Sequence, residues 1–190
     1  QEEHLDNNAV ARLTTLTIEV LQKIRDQFGP TKVNSCFRSR PLNDLVNGSP
    51  NSQHCCFGDH TGAAADIEIV SEDVSNLELA EWIRDNLEFD QLILENYQPN
   101  RVSKITGKPE GPNSGWVHIS YNAVGENRKE VLRMVKNPKT KKAEYFPGLT
   151  EQGQSQAPGF SAHPSLARPT LQRKNSLSRH PQRRLSAKTF

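Results

Sequence analysis

Between Ser52 and Ile67 the chain reads SQHCCFGDHTGAAADI, which puts two histidines, two cysteines and two aspartates into sixteen positions. Imidazole nitrogen, thiolate sulfur and carboxylate oxygen are the donors that hold zinc. A catalytic zinc takes three of them from the protein and leaves a fourth position for water. Of the six histidines, His54, His60 and His118 fall in the part of the chain that reads as folded. His4 precedes the first helical pattern, and His163 and His180 lie near the C-terminus.

His118 sits in GWVHIS. On a strand, Val117 and Ile119 share one face, while Trp116, His118 and Ser120 share the other. The Val/Ile face is the natural core side, so His118 is expected on the opposite side beside Trp116, as in a cleft wall. Asp66 sits in AAADIEIV, where Asp66 and Glu68 share one face and Ile67 and Ile69 the other. Three alanines before Asp66 let backbone pack closely around it. Taken singly, such a His is more often structural and such an Asp more often faces solvent.

The elements that must position these groups follow from periodicity. Residues 8–28 carry apolar side chains at helical spacing, with Asn7 or Asn8 as cap and Gly29-Pro30 as the stop. KVNSCF reads as a short strand, and the following 17 residues, RSRPLNDLVNGSPNSQH, as a loop with a helical turn near 42–46. AADIEIV (64–70), FDQLILE (89–95) and WVHISY (116–121) read as strands, and residues 76–87 as an amphipathic helix. Residues 98–114, rich in Pro, Gly, Asn and Lys, predict an exposed loop. Residues 127–136 predict a short helix or an irregular segment, and KAEYFPGL a closing strand. The expectation is an α+β domain with a small, mainly antiparallel sheet and flanking helices.

The chain has 190 residues and 34% hydrophobic content, with a mean hydropathy of −0.73. That suits one domain over residues 1–150 and a tail over 151–190 that does not pack. The tail is dominated by Ser, Gln, Pro, Arg and Ala, with five Arg and two Lys against one Glu, so the rest of the chain is net acidic although the whole is +2. A basic tail can touch nucleic acid or an anionic surface, but a solvated extension is the plainer reading, and nucleic acid is not expected as a partner. No apolar run is long enough to span a membrane. The first residues, QEEHLDNN, are unlike a signal peptide and lack an initiator Met, as in a fragment or processed form. Three cysteines, two of them adjacent, make a poor disulfide framework and read as reduced thiols.

Together these segments resemble the zinc D-alanyl-D-alanine carboxypeptidases and phage-type peptidoglycan endopeptidases, which share a fold with the Hedgehog signalling domain. Those proteins carry S-x-H-x-x-G-x-A-x-D, then a Glu, then W-x-H. This chain offers SQH, GAAAD, FDQLILE and GWVHIS in that order, preceded by VNSCFRSRPLNDLVNGSPNSQH and followed by NRKEVL and YFPGL, so the resemblance covers about residues 8–149. Residue by residue, it implies that His54, Asp66 and His118 bind zinc and that Glu95 is the general base that later protonates the leaving amine. It further implies that Arg38 pairs with a substrate carboxylate, that Ser52 hydrogen-bonds the substrate near the metal, and that Trp116 belongs to the substrate site. Each has a plain rival: Arg38 as a surface ion-pair partner, Glu95 as the polar end of a buried strand, Ser52 as a turn residue.

Two departures from the pattern matter. The pattern places the His seven positions before the Asp, but position 59 is Asp, His60 is six before Asp66 and His54 twelve before. Removing five residues from 55–61 restores the motif from His54, and Ser52 then matches as well; His60 stays as the alternative first ligand. The inserted stretch brings Cys55 and Cys56, either of which could occupy the open metal position. Some relatives place the Glu three residues before the last His, where this chain has Gly115, so the assignment to Glu95 rests on the phage-type arrangement and Glu68 is its fallback. The expectation is a zinc-dependent peptidase, acting as a monomer on bacterial peptidoglycan stem peptides, made in the cytoplasm and working on the cell wall. The rival expectation is a non-catalytic zinc- or cell-wall-binding module of the same fold, such as a phage structural component.

Overall fold

A computed structural model describes residues 7–56, 62–71 and 73–150. His60 and the 151–190 tail, both subjects of the expectations above, lie outside the described residues. The chain opens with α1 (Asn7–Leu16), which runs through a π-helical turn (Thr17–Leu21) into α2 (Gln22–Phe28). The π turn takes up an extra residue. It keeps Leu16, Val20 and Ile24, spaced by four, in line and fully buried. Ile18, midway between Leu16 and Val20, is exposed, and so is Val10. Gly29, at φ +82°, ends the helix as the Gly-Pro pair predicts.

After β1 (Thr31–Ser35) come α3 (Arg40–Leu45) and a 3₁₀ turn at Gln53–Cys55. Then follow β2 (Gly62–Ile69), α4 (Asn76–Asn86), β3 (Gln91–Glu95), β4 (Trp116–Asn122), β5 (Glu130–Lys136) and β6 (Ala143–Pro147). The six strands form one sheet in the order β1-β2-β4-β3-β5-β6. All pairs are antiparallel except β3 with β5. Residues 130–136 correct the expectation of a helix or irregular segment there. Their apolar spacing fits either period, but the segment gains ladder hydrogen bonds from β3 on one side and β6 on the other, and Val131 and Val135 suit a strand.

The sheet has two unlike faces. Ala63, Ala65 and Ile67 of β2, Leu92 and Leu94 of β3, and Val117 and Ile119 of β4 are all buried on one face. There α1 lies over β2 and β4, and α4 over β3 and β4. Phe28 and Trp82 meet edge to face at 5.3 Å between the helices. The opposite face carries Asp66, His118, Glu95 and Trp116, and there the 3₁₀ turn at Gln53–Cys55 packs against β2.

The loop entering β4 is held by α4. The buried Asn76 donates its side-chain amide to the carbonyls of Asn113, Ser114 and Gly115. Ser75 and Glu78 cap α4 reciprocally. Gly115, at φ +68°, lies so close to β3 that a Cβ would stand 2.0 Å from the Glu95 carbonyl oxygen and within 2.8 Å of the Asn96 and Tyr97 backbone. Every obstructing atom is backbone, so nothing cheap can yield. Gly115→Ala should therefore lower stability by about 2–4 kcal/mol, read as a fall in the thermal midpoint. A midpoint unchanged within a degree or so would show that the two segments can separate freely.

Candidate metal centre

The His54 ring is placed by two tethers. Its Nδ1 lies 2.7 Å from the Cys36 carbonyl oxygen, just after β1, and its own carbonyl accepts the Arg38 N–H at 2.9 Å. A carbonyl only accepts, so Nδ1 carries a proton there, and the tautomer this selects has its lone pair on Nε2. On the other side, Gln53 donates to Asp90 Oδ2 at 3.0 Å and to Asn122 Oδ1 at 3.2 Å. Asp90 is almost fully buried and also receives two guanidinium bonds from Arg128, at 2.9 and 2.7 Å. Burial alone would raise the Asp90 carboxyl, but the bonds from Arg128 and Gln53 outweigh it and hold it below the ordinary carboxylate range. Gly62 fits under this network because a Cβ there would strike the Gln53 amide.

Asp66 and His118 come together by register: β2 and β4 pair them directly. His118 Nδ1 lies 2.9 Å from Asp66 Oδ1, His54 Nε2 lies 3.3 Å from the same oxygen, and the two ring nitrogens are 3.3 Å apart. Ligands 2.0–2.1 Å from a tetrahedral zinc stand about 3.3 Å from one another. The three atoms thus fit three corners of such a site with little movement, and two imidazoles and a carboxylate are a donor set zinc accepts. Among the described residues, His54, Asp66 and His118 are the group so disposed. Burial pushes His118 down, helped by His54 and Arg38 against the opposing contact with Asp66. For Asp66 burial acts upward, yet contact with the two histidines holds its carboxyl well below the usual range.

The three cysteines are thiols outside this group. Cys56 belongs to the hydrophobic core, with Sγ toward the Gln53 and His54 carbonyls. Its backbone carbonyl is held by Arg12 of α1.

The donor atoms open into a cleft of about 770 Å³ that also takes in Arg38, Ser52, Glu95 and Trp116. Every site residue expected from the sequence and described here therefore faces one space. Glu95 ends β3 opposite Trp116, and among the described residues its carboxylate has no hydrogen-bond donor. Burial first and the Asp66 charge second push it up to about 7, against the pull of His54, Lys136 and Arg38. Arg38 has neutral neighbours, Asn43 Oδ1 and Ser35 Oγ, each at 3.4 Å. Glu68, the fallback base, is engaged by Lys32 and Asn34 and lines a neighbouring cleft instead.

Sequence reasoning missed Met134, Lys136 and Tyr145, which line the Glu95 side of the cleft. Met134 pairs with Glu95 on one side and Tyr145 on the other. The missing signal was the two-residue alternation of β5. Burial and then the Glu95 charge raise the Tyr145 phenol, as its place beside that carboxylate requires.

A family model described as Peptidase M15 matches residues 1–99, just over half of the chain. The matched stretch contains Arg38, His54, Asp66 and Glu95 and ends before β4 brings in His118. Neither a curated protein nor a solved structure matches the chain.

Two outcomes are expected. Alanine at His54, Asp66 or His118 should each weaken zinc binding at least ~100-fold in competition with a chromophoric chelator, whereas Cys55→Ser and Cys56→Ser should leave it unchanged. In the metal-free protein, the Glu95 carboxyl carbon should titrate near 7, being neutral below that pH and charged above it. Added zinc should move the midpoint down, because a nearby dication favours the carboxylate. A midpoint in the ordinary glutamate range without metal would show that Glu95 is not buried as described.

Proposed function

This chain belongs to the peptidase M15 family, of zinc-dependent D-Ala-D-Ala carboxypeptidase type, and from that premise we propose that it hydrolyses peptide bonds in bacterial peptidoglycan stem peptides. The observation that carries the proposal is the convergence of His54 Nε2, His118 Nδ1 and Asp66 Oδ1 at zinc-like spacing, in one cleft with a Glu95 carboxylate that has no hydrogen-bond donor among the described residues. His54, Asp66 and His118 would hold the metal. Bound zinc supplies Lewis acidity and lowers the pKa of a water molecule to about 7.

The chain's own residues then have distinct tasks. Glu95 takes a proton from the water as the water oxygen bonds to the carbonyl carbon of the scissile amide. As the carbon–nitrogen bond breaks, Glu95 hands that proton to the leaving nitrogen, giving a carboxylate and an amine. Burial raises the Glu95 carboxyl and a bound dication draws it back down, which suits a group that must first take a proton and then give it up. Arg38 pairs with a substrate carboxylate through its planar fork, which neutral neighbours leave available. Ser52 and Trp116 form walls of the cleft and contact the substrate. A D-Ala-D-Ala carboxypeptidase and an endolysin-type endopeptidase are the two finer versions of this activity.

The test is cleavage of purified peptidoglycan, followed by release of new amino groups. Zinc-loaded protein should release them, and chelation should stop it. Glu95→Gln should retain zinc while kcat falls about 10²–10⁴-fold. If the zinc-loaded wild type binds cell wall and never releases amines, the chain is a zinc-holding binding module and the peptidase reading fails.

A further inference from the structure

A second cleft of about 480 Å³ adjoins the first, and Trp116 and Lys136 line both. Its charged walls differ in availability. Arg101 is held by Glu110 through two bonds of 2.9 and 2.7 Å. Glu68 is engaged by Lys32 and Asn34. Lys136 is exposed and, among the described residues, pairs with no carboxylate.

Lys136 and Arg38 stand on opposite sides of the candidate centre. Arg38 follows β1, while Lys136 ends β5, four strands away in the sheet order. At about 4.8 Å per strand, that is about 19 Å across the sheet, with Asp66, His118 and Glu95 on the strands between. Both cations line the cleft that holds Glu95, where the bond would be cut. An unpaired ammonium at the junction of two clefts favours an anion, and the second cleft gives a peptide room to continue past Trp116.

Resting on the peptidase reading, we infer that Lys136 is a specificity-determining residue. Its ammonium pairs with a second substrate carboxylate, on the side of the scissile bond opposite the one held by Arg38. The substrate is then an acidic peptide that extends along the sheet through both clefts, rather than a short peptide recognised only by its terminal carboxylate.

The experiment compares two synthetic peptides with the same scissile bond, one with a free carboxylate on the Lys136 side and one with that group amidated. Zinc-loaded wild type should cleave the acidic peptide with a KM about 2–5-fold lower and a kcat within about twofold, as expected for one exposed charge pair formed on binding. Lys136→Arg should keep the preference, and Lys136→Glu should abolish or reverse it. Equal KM values for the two peptides in the wild type, or a preference that survives in Lys136→Glu, would overturn the assignment. Fluorescence anisotropy of labelled copies of the same peptides on Glu95→Gln protein reads the preference without turnover. Absence of cleavage with a preserved Lys136-dependent binding preference would thus count against the peptidase reading alone, and equal binding against the Lys136 assignment.

Discussion

Two imidazole rings and a carboxylate lie within 3.3 Å of one another where water has little access. With all three lone pairs turned to one point and neither proton nor metal between them, such acceptors repel, and burying an unpaired charge among them costs several kcal/mol. A shared proton relieves part of this; a dication relieves all of it, because each group then directs its lone pair at the same point. Much of the chain's polar architecture is the support that holds these three donors against that repulsion. His54 cannot turn away while its Nδ1 donates to the Cys36 carbonyl. Asp66 and His118 cannot separate while β2 and β4 stay in register.

That support divides between the two faces of the sheet. The inner face is apolar and complete without the site: Ala63, Ala65, Ile67, Val117 and Ile119 pack beneath the helices. The outer face is therefore free to carry acids, imidazoles and cations without opening a hole in the core. The join between the faces is the buried Asp90. Its carboxylate gathers Gln53, Asn122 and Arg128 from three separate segments, and the Gln53 bond fixes the turn that delivers His54. A buried carboxylate bonded to several donors rigidifies more than any one contact implies.

The sequence made some of this legible and hid the rest for definite reasons. Strand alternation was enough to send His118 and Asp66 away from the core, since Val117, Ile119 and Ile67 could face only one way. The resemblance favoured His54 as first ligand, and His54 lies beside Asp66 and His118, while His60 is outside the described residues. Segment 130–136 was misread because its apolar spacing fits a helix as well as a strand, and its partners lie far away in sequence. With it went Met134, Lys136 and, across the next pair, Tyr145. Asp90 was hidden for another reason. In FDQLILE it looks like the polar start of a strand, and its partner Gln53 lies 37 residues upstream. Gly115, met first as a gap in a motif, turned out to be the residue whose missing side chain lets the backbone at Glu95 approach.

That last contact explains how a carboxylate can sit near the candidate metal group without joining it. Glu95 shares the cleft with Asp66, but the two reach it differently. Asp66 stands directly opposite His118 and is engaged by both histidines. Glu95 lies one strand further on, opposite Trp116, with its backbone clasped by Gly115. The two carboxylates accordingly diverge. Imidazole contacts keep Asp66 charged, while burial and the Asp66 charge push Glu95 up to about 7. A pair of acids driven apart in this way is the usual physical basis for giving one a holding role and the other a proton-carrying role. In the proposed peptidase, that division would follow from register and one absent side chain.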